Sequence, residues 1–455
     1  MNFSIRRYAA ISAILLALLM TVLDVTLVNI ALPDMGRNFG VPDSSIVWVV
    51  TIYQLTITML LLPVSSMGDL YSYRRSFLTG MAVFTLASAG CALSANFTQL
   101  IIARAVQGFG AACIMGVNIA LTRLIYPRHV LGRGLALNAM VIAIATAAGP
   151  TIAGGILSVA SWHWLFLLNI PFGIAAFIIG KRLLPSNPPS ADNSPKKFDW
   201  ISAIENIIVF GLIIFAVGNF AHKGNYVANT IMLIAGLATA VLYIRRQFNR
   251  TNPMFPVDLF RIRLFTLSIF TSVCSFIAQI MAMVSLPFLF VSVYRFNEIT
   301  TGLLMTPWPL ATMIISPIAA RIIERRNPGV TAAVGMAVFS IGLVLLYTSG
   351  ADEWNIAWKM AVCGIGYGLF QTPNNVVMVM CTPVARTGGA GGMQSTARLV
   401  GQTFGETFVT LVFALPVTRE SSIRICLCVA MATAVLAGIL SLPRRNGVNK
   451  AAAIK

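Results

Sequence analysis

The sequence predicts an all-α polytopic membrane protein: fourteen transmembrane helices grouped six, two and six, with both termini in the cytoplasm. Three observations carry that prediction. The 455 residues are 57% hydrophobic and only 10% charged, with mean hydropathy +0.83. Soluble domains carry about 25% charged residues, and no water-soluble fold hides this much apolar surface. Second, apolar runs of about the 20 residues that a bilayer span needs recur along the whole chain. Third, Lys and Arg alternate by loop. With the N-terminus inside, 24 of the 32 fall in cytoplasmic segments, six in outer segments and two, Arg104 and Arg398, inside spans. That bias is the positive-inside signature. It accounts for the net charge of +18 without nucleic acid.

The elements follow in order. Spans are expected at 9–32, 46–66, 76–95, 98–121, 135–159 and 164–182, then 201–220 and 228–244. A last group follows at 265–292, 300–320, 329–349, 357–381, 388–415 and 424–442. The first run is too long for a signal peptide, whose apolar core is about 7–15 residues. Residues 183–200, rich in Pro, Ser and charge, cannot span. Residues 245–263 are basic, and Phe255, Leu259 and Phe260 are expected to lie along the membrane surface. The resulting units are 1–184, 185–263 with two extra helices, 264–445 and a tail at 446–455. Six plus six suggests two repeated halves around a central cavity. The seven cysteines all lie in apolar segments and read as small packing residues, not a disulfide framework.

Charges inside spans are expensive and mark function by default. Asp24, in "LDVTLVNIALP", and Arg104, in "RAVQGFGAA", fall at similar depth on antiparallel helices. The functional reading is a proton site whose affinity depends on Arg104; the rival reading is a structural ion pair. Arg398 and Glu406 share one helix but are eight residues apart, about 12 Å along the axis, so they are not each other's partners. Glu406 is the second proton- or cation-binding candidate, against a carboxylate merely satisfied by a neighbouring helix. Asn29, Gln279, Gln371, Asn374, Asn375 and Arg398 are candidate substrate contacts, Gln279 beside a Met and Phe wall that more often means packing. Gly149, Pro150 and Gly154 of "GPTIAGG" allow close, bent helix contact. Asp69, Arg74 and Arg75, joining spans 2 and 3, are candidate gating residues, or a plain topogenic loop. Trp162, His163 and Trp164 read as interfacial anchors. The sequence contains no GxxxxGK[ST], HExxH, CxxC or GxSxG pattern. No enzyme chemistry is expected, and no cofactor.

Together these motifs resemble the major facilitator superfamily, specifically its 14-helix drug:proton antiporter family. "LDVTLVNIALP", "RAVQGFGAA", "GPTIAGG", "WHWLFLLNIPFG" and "PVDLFRIRLF" carry the resemblance over nearly the whole chain. The loop between spans 2 and 3 departs from the family pattern: Ser65 and Ser72 replace its turn glycines, and Tyr73 takes its first Arg position. The resemblance implies multidrug efflux: a monomer in the bacterial inner membrane exporting lipophilic, often cationic, toxic compounds in exchange for protons. The partners implied are small-molecule substrates, protons and the lipid bilayer. A proton-coupled symporter, or an exporter of one specific metabolite, shares the fold and stays open. So does a sensory or structural membrane protein, which does not need Asp24.

Overall fold

The structure is a computed structural model that describes residues 3–126, 131–185, 198–219, 226–248, 255, 257–382 and 387–444. Among these there are helices and no strands. Fourteen are long. They are α1 (Phe3–Phe39), α2 (Trp48–Leu70), α3 (Tyr73–Ala92), α4 (Phe97–Ile125), α5 (Leu131–Val159), α6 (Asn169–Leu183) and α7 (Trp200–Asn219). Then come α8 (Tyr226–Phe248), α9 (Arg263–Phe288), α10 (Pro307–Arg325), α11 (Pro328–Tyr347), α12 (Glu353–Met380), α13 (Thr387–Phe413) and α14 (Arg419–Ser441). Short helical turns at Asp43–Ile46, His163–Leu167 and Glu298–Met305 lead into α2, α6 and α10.

Eleven of these segments are long and apolar enough to cross a membrane. The other three predicted spans are the helices α3, α12 and α13. Two of them hold the polar residues singled out above, Gln371, Asn374 and Asn375 on α12 and Arg398 and Glu406 on α13, which dilutes their apolarity. Polar side chains close the ends of several helices. Asn96, Asn297, Asn327 and Thr418 each accept a backbone N–H of the following turn, satisfying donors the helix itself leaves open.

Glycines show how the helices pack. A Cβ on Gly110 of α4 would sit 2.6 Å from the Phe84 nitrogen of α3, and one on Gly108 would sit 2.7 Å from the Tyr53 oxygen of α2. The same crossings recur later. Gly366 of α12 abuts Phe339 of α11, and Gly364 abuts Trp308 of α10. Each of these four positions is shifted by 255 or 256 residues from its counterpart. The chain therefore repeats a three-helix packing unit, although no repeat is obvious letter by letter.

α7 and α8 pair with each other. Arg246 bridges Asp199 (3.4 Å) and Glu205 (3.2 Å), and Gln247 donates to Ser202 (2.8 Å). α7 docks on α2, where Asn206 donates to the Met59 carbonyl (2.7 Å) and Phe215 stacks on Trp48 (5.2 Å between centroids). Only 17% of the α8 apolar stretch is buried, so α8 lies at the periphery.

Two expectations need correction. Val257 and Leu259 are buried, and Phe255 and Phe260 pack with Phe265, Met378 and Met393. The segment before α9 is a plug against helices, not a strip lying on the membrane. Trp162 is buried too, donating to Asn38 (3.4 Å) and stacking on His163, whereas Trp164 is exposed as expected. Indole packing against the last turn of α1, at Asn38 and Phe39, outcompetes interfacial anchoring at that position. All seven cysteines are free.

Candidate functional site

Asp24 meets Arg104. Arg104 Nη1 lies 2.5 Å from Asp24 Oδ2, with both side chains essentially sealed from solvent. Taking two charges out of water costs several kcal/mol per ion unless geometry and further hydrogen bonds offset it. Here they are supplied by five helices. Asp24 Oδ1 accepts from Gln107 Nε2 and from Asn169 Nδ2, both at 2.9 Å. Arg104 Nε donates to the Val49 carbonyl (3.0 Å), and Nη1 also donates to Gln107 Oε1 (2.6 Å). Gln107 completes its amide by donating to Ser88 Oγ (2.9 Å). The guanidinium lies over the Tyr53 ring at 4.2 Å, a cation–π contact.

The sequence folds this way for local reasons. Arg104 and Gln107 are three residues apart and share a helix face. Gly108, next to Gln107, lets α2 approach closely, which brings Tyr53 under the guanidinium. Gly110 lets α3 in, which brings Ser88 to Gln107. Asn169 opens α6. Its amide went unnoticed in the sequence because a lone uncharged polar residue in an apolar run is common, and nothing in its spacing points to Asp24.

Glu406 stands apart from this cluster. It is fully buried, and neither carboxyl oxygen has a hydrogen-bond partner among the described residues. Gly401 and Gly405 let α13 press against α9 at Val273 and Ile277, and Arg104 is the basic group that acts on Glu406 electrostatically. α13 also touches α2 across the molecule. Gln54 donates to Gln402 (2.9 Å), and Thr58 and Thr403 share a hydrogen bond (3.2 Å).

The other candidates scatter. Asn29 is buried, five residues beyond Asp24 on α1, and its Oδ1 has no partner among the described residues. Gln279, Gln371 and Asn375 are half-buried. Asn374 is engaged: its Oδ1 accepts from Arg444 (2.5 Å) and its amide donates to the Ser268 carbonyl (3.4 Å). Arg398 is half-buried, and its Nε is sealed without a partner among the described residues. Arg74 donates to the Lys181 carbonyl, tying the start of α3 to the end of α6, while Arg75 is exposed. The Asp69 side chain lies outside the described residues.

"GPTIAGG" forms a close contact. A Cβ on Gly154 would sit 3.2 Å from the Gly302 Cα, and one on Gly302 would meet the Pro150 carbonyl. Thr151 and Thr306 hydroxyls bond at 2.6 Å. Gly149 packs on Thr26 of α1. At the same end of the molecule Arg419 grips Asp43 at 2.5 and 2.8 Å, and Arg37 reaches Glu298 at 3.5 Å.

This arrangement of helices has known counterparts. It superposes on a POT family transporter solved with 5-aminolevulinic acid, with TM-score 0.70, 14% identity and coverage of 95% of this chain and 96% of that one. By sequence the chain is 46% identical to the uncharacterized transporter YebQ of Escherichia coli (strain K12), over 96% of this chain and 95% of that protein. It is 28% identical to the multidrug resistance protein Stp of Mycobacterium tuberculosis (strain CDC 1551 / Oshkosh), over 88% of this chain and 74% of that protein. The sequence family described as Major Facilitator Superfamily matches residues 14–406. With that match across most of its length, and with this fold, the chain belongs to the major facilitator superfamily: a multi-pass membrane transporter, not an enzyme.

Proposed function

We propose that this transporter is a proton-coupled antiporter exporting lipophilic, often cationic, toxic compounds. The chain would cross the bacterial inner membrane fourteen times, six plus two plus six, as a monomer with cytoplasmic termini. Its energy source is the proton gradient, with no cofactor. The single observation that carries the reading is the sealed Asp24–Arg104 pair with a second, unpartnered carboxyl, Glu406, in electrostatic reach of the same arginine.

The proposed mechanism is competition. A proton on Asp24 removes the anion that holds Arg104. The released guanidinium can then turn its field toward Glu406, which otherwise has nothing to balance its charge. The two carboxyls thus exchange one cation, and the halves that carry them meet where α13 touches α2, at Gln54–Gln402 and Thr58–Thr403. Alternating access requires that contacts at one end break as those at the other form. The glycine crossing of α5 with Glu298–Met305, and the ion pairs of Asp43 and Arg37, lie at the end that the charge bias places outside. They support reading this as an outer-closed arrangement. Moving one charge through 100 mV is worth about 2.3 kcal/mol, so a few protons suffice to drive export. The relation to Stp supports a multidrug cargo.

Dye efflux from inside-out vesicles under an imposed proton gradient tests the reading. Asp24→Asn should abolish gradient-dependent efflux, and Glu406→Gln should uncouple or slow it. Undiminished efflux by Asp24→Asn would remove Asp24 as the carrier.

A further inference from the structure

Arg104, Arg398 and Arg444 lie among packed helices; the first and last are buried with several polar partners each, although Arg104 Nη2 and Arg444 Nε have none among the described residues. Arg104 has Asp24, Gln107, the Val49 carbonyl and the Tyr53 ring. Arg444, at the end of the last helix, donates to Ser268 (3.0 Å), Asn374 (2.5 Å) and Ser441. The third, Arg398, makes no hydrogen bond and no ion pair among the described residues. Its Nε is sealed, yet the side chain as a whole is only half-buried. A guanidinium stays charged in proteins, and holding one in low dielectric without an anion is costly. Arg104 and Arg444 each have several polar partners, and Arg398 has none among the described residues.

The surroundings state what fits. Tyr367 is the group that acts on Arg398 electrostatically. Its ring is edge-on to Phe276 and Phe339, at 6.0 and 5.7 Å between centroids, and tilted against Phe370. A planar fork next to a wall of rings suits a carboxylate carried on an aromatic body, since guanidinium pairs with carboxylate in two parallel hydrogen bonds. Further along α13, eight residues or about 12 Å away, Glu406 offers the opposite pole.

We propose that Arg398 is the counter-ion for an acidic group on the cargo, so that the transporter takes aromatic zwitterions whose carboxylate pairs with Arg398, and not only lipophilic cations. The proposal rests on the efflux reading for its cargo and deepens it. It is tested by binding alone, so failure of proton coupling and failure of this assignment stay distinguishable.

The probes are rhodamine B, a zwitterion with a free carboxylate, and its ethyl ester, the same dye with that carboxylate blocked. Binding is read by fluorescence polarisation on the purified full chain in phosphatidylcholine nanodiscs, with no pH gradient. Arg398→Gln should weaken rhodamine B by about ten-fold or more, the worth of a hydrogen bond to a charged group, and leave the ester within about two-fold. Arg398→Lys should fall between, keeping the charge and losing the fork. Equal loss for both dyes, or loss for neither, overturns the assignment. Wild type supplies an arm that does not depend on the variants folding: benzoate should displace rhodamine B, and benzamide should not. Equal displacement by both overturns it as well. The same chemistry is present on anionic lipid headgroups. If replacing phosphatidylcholine by phosphatidylglycerol abolishes the benzoate effect, the headgroup is the ligand and the cargo assignment falls.

Discussion

Arg104 is where the residue scale matters most. Removing one partner of a buried ion pair leaves the other charge uncompensated, at a cost of about 3–5 kcal/mol. Arg104→Gln should therefore lower the thermal unfolding temperature of the detergent-solubilised protein markedly. Arg104→Lys should fall between, since a lysine keeps the charge but loses the Nε bond to Val49 and the planar stack on Tyr53. A melting curve for Arg104→Gln that overlays the wild type would mean the cluster does not hold its five helices together. Asn169 makes a gentler test. Asn169→Leu removes one of two amide donors to Asp24, leaving the carboxylate short of a hydrogen bond worth about 1.5–3 kcal/mol when the group is charged. The expected destabilisation is correspondingly smaller than that of Arg104→Gln, measured the same way.

At the scale of the element, glycine positions decide how near two helices come. A methyl on Gly110 would sit 2.6 Å from the Phe84 backbone nitrogen, and backbone cannot swing aside. Overpacking of this kind costs about 1–3 kcal/mol, so Gly110→Ala should lower stability and separate Ser88 from Gln107. Gly155 supplies the control within a helix of the same protein. A Cβ there meets nothing within 4 Å, and Gly155→Ala should leave expression, melting and transport unchanged. Ala favours a helix more than Gly does, so comparable losses in the two variants would show that close approach at Gly110 does not set the result. The later triplet of helices uses equivalent glycines at Gly364 and Gly366, so Gly366→Ala should behave like Gly110→Ala. It lacks the charged cluster, however. The positions 256 beyond Arg104 and Gln107 are Met360 and Cys363, and the one 255 beyond Asp24 is Gln279. The repeat preserved packing and placed the ionic site in one copy alone.

Across the whole molecule, the end marked by Asp43 and Arg419 is joined by ion pairs that are partly exposed, with Arg419 49% and Asp43 16% open. Such pairs are worth about 0.2–1 kcal/mol, enough to shift a balance between two arrangements by no more than a few-fold. Arg419→Asp should raise the share of molecules open at that end, read from distances between spin labels on the two rims. The swap Asp43→Arg with Arg419→Asp should restore it. Rising salt should weaken the wild-type pair in the same assay, because exposed charges are screened. No rescue by the swap would assign closure to the apolar and glycine contacts of α5 with Glu298–Met305.

The sequence alone determined the class of this protein, its helices and the charges inside its spans. Apolar runs and loop charge act through the bilayer, which reads them one segment at a time, and Asp24, Arg104 and Glu406 announce themselves because hydrocarbon makes a lone charge expensive. Only the tertiary structure decided which of those charges are satisfied. Asn169, Ser88, Val49 and Tyr53 converge on the pair from three other helices, and a cheap polar group gives no sign of its partner until helices are docked. The same docking left Glu406 and Arg398 without partners among the described residues, although the sequence treats all four charges alike. Desolvation is felt segment by segment, whereas hydrogen-bond satisfaction depends on distances between segments, which the order of residues does not contain.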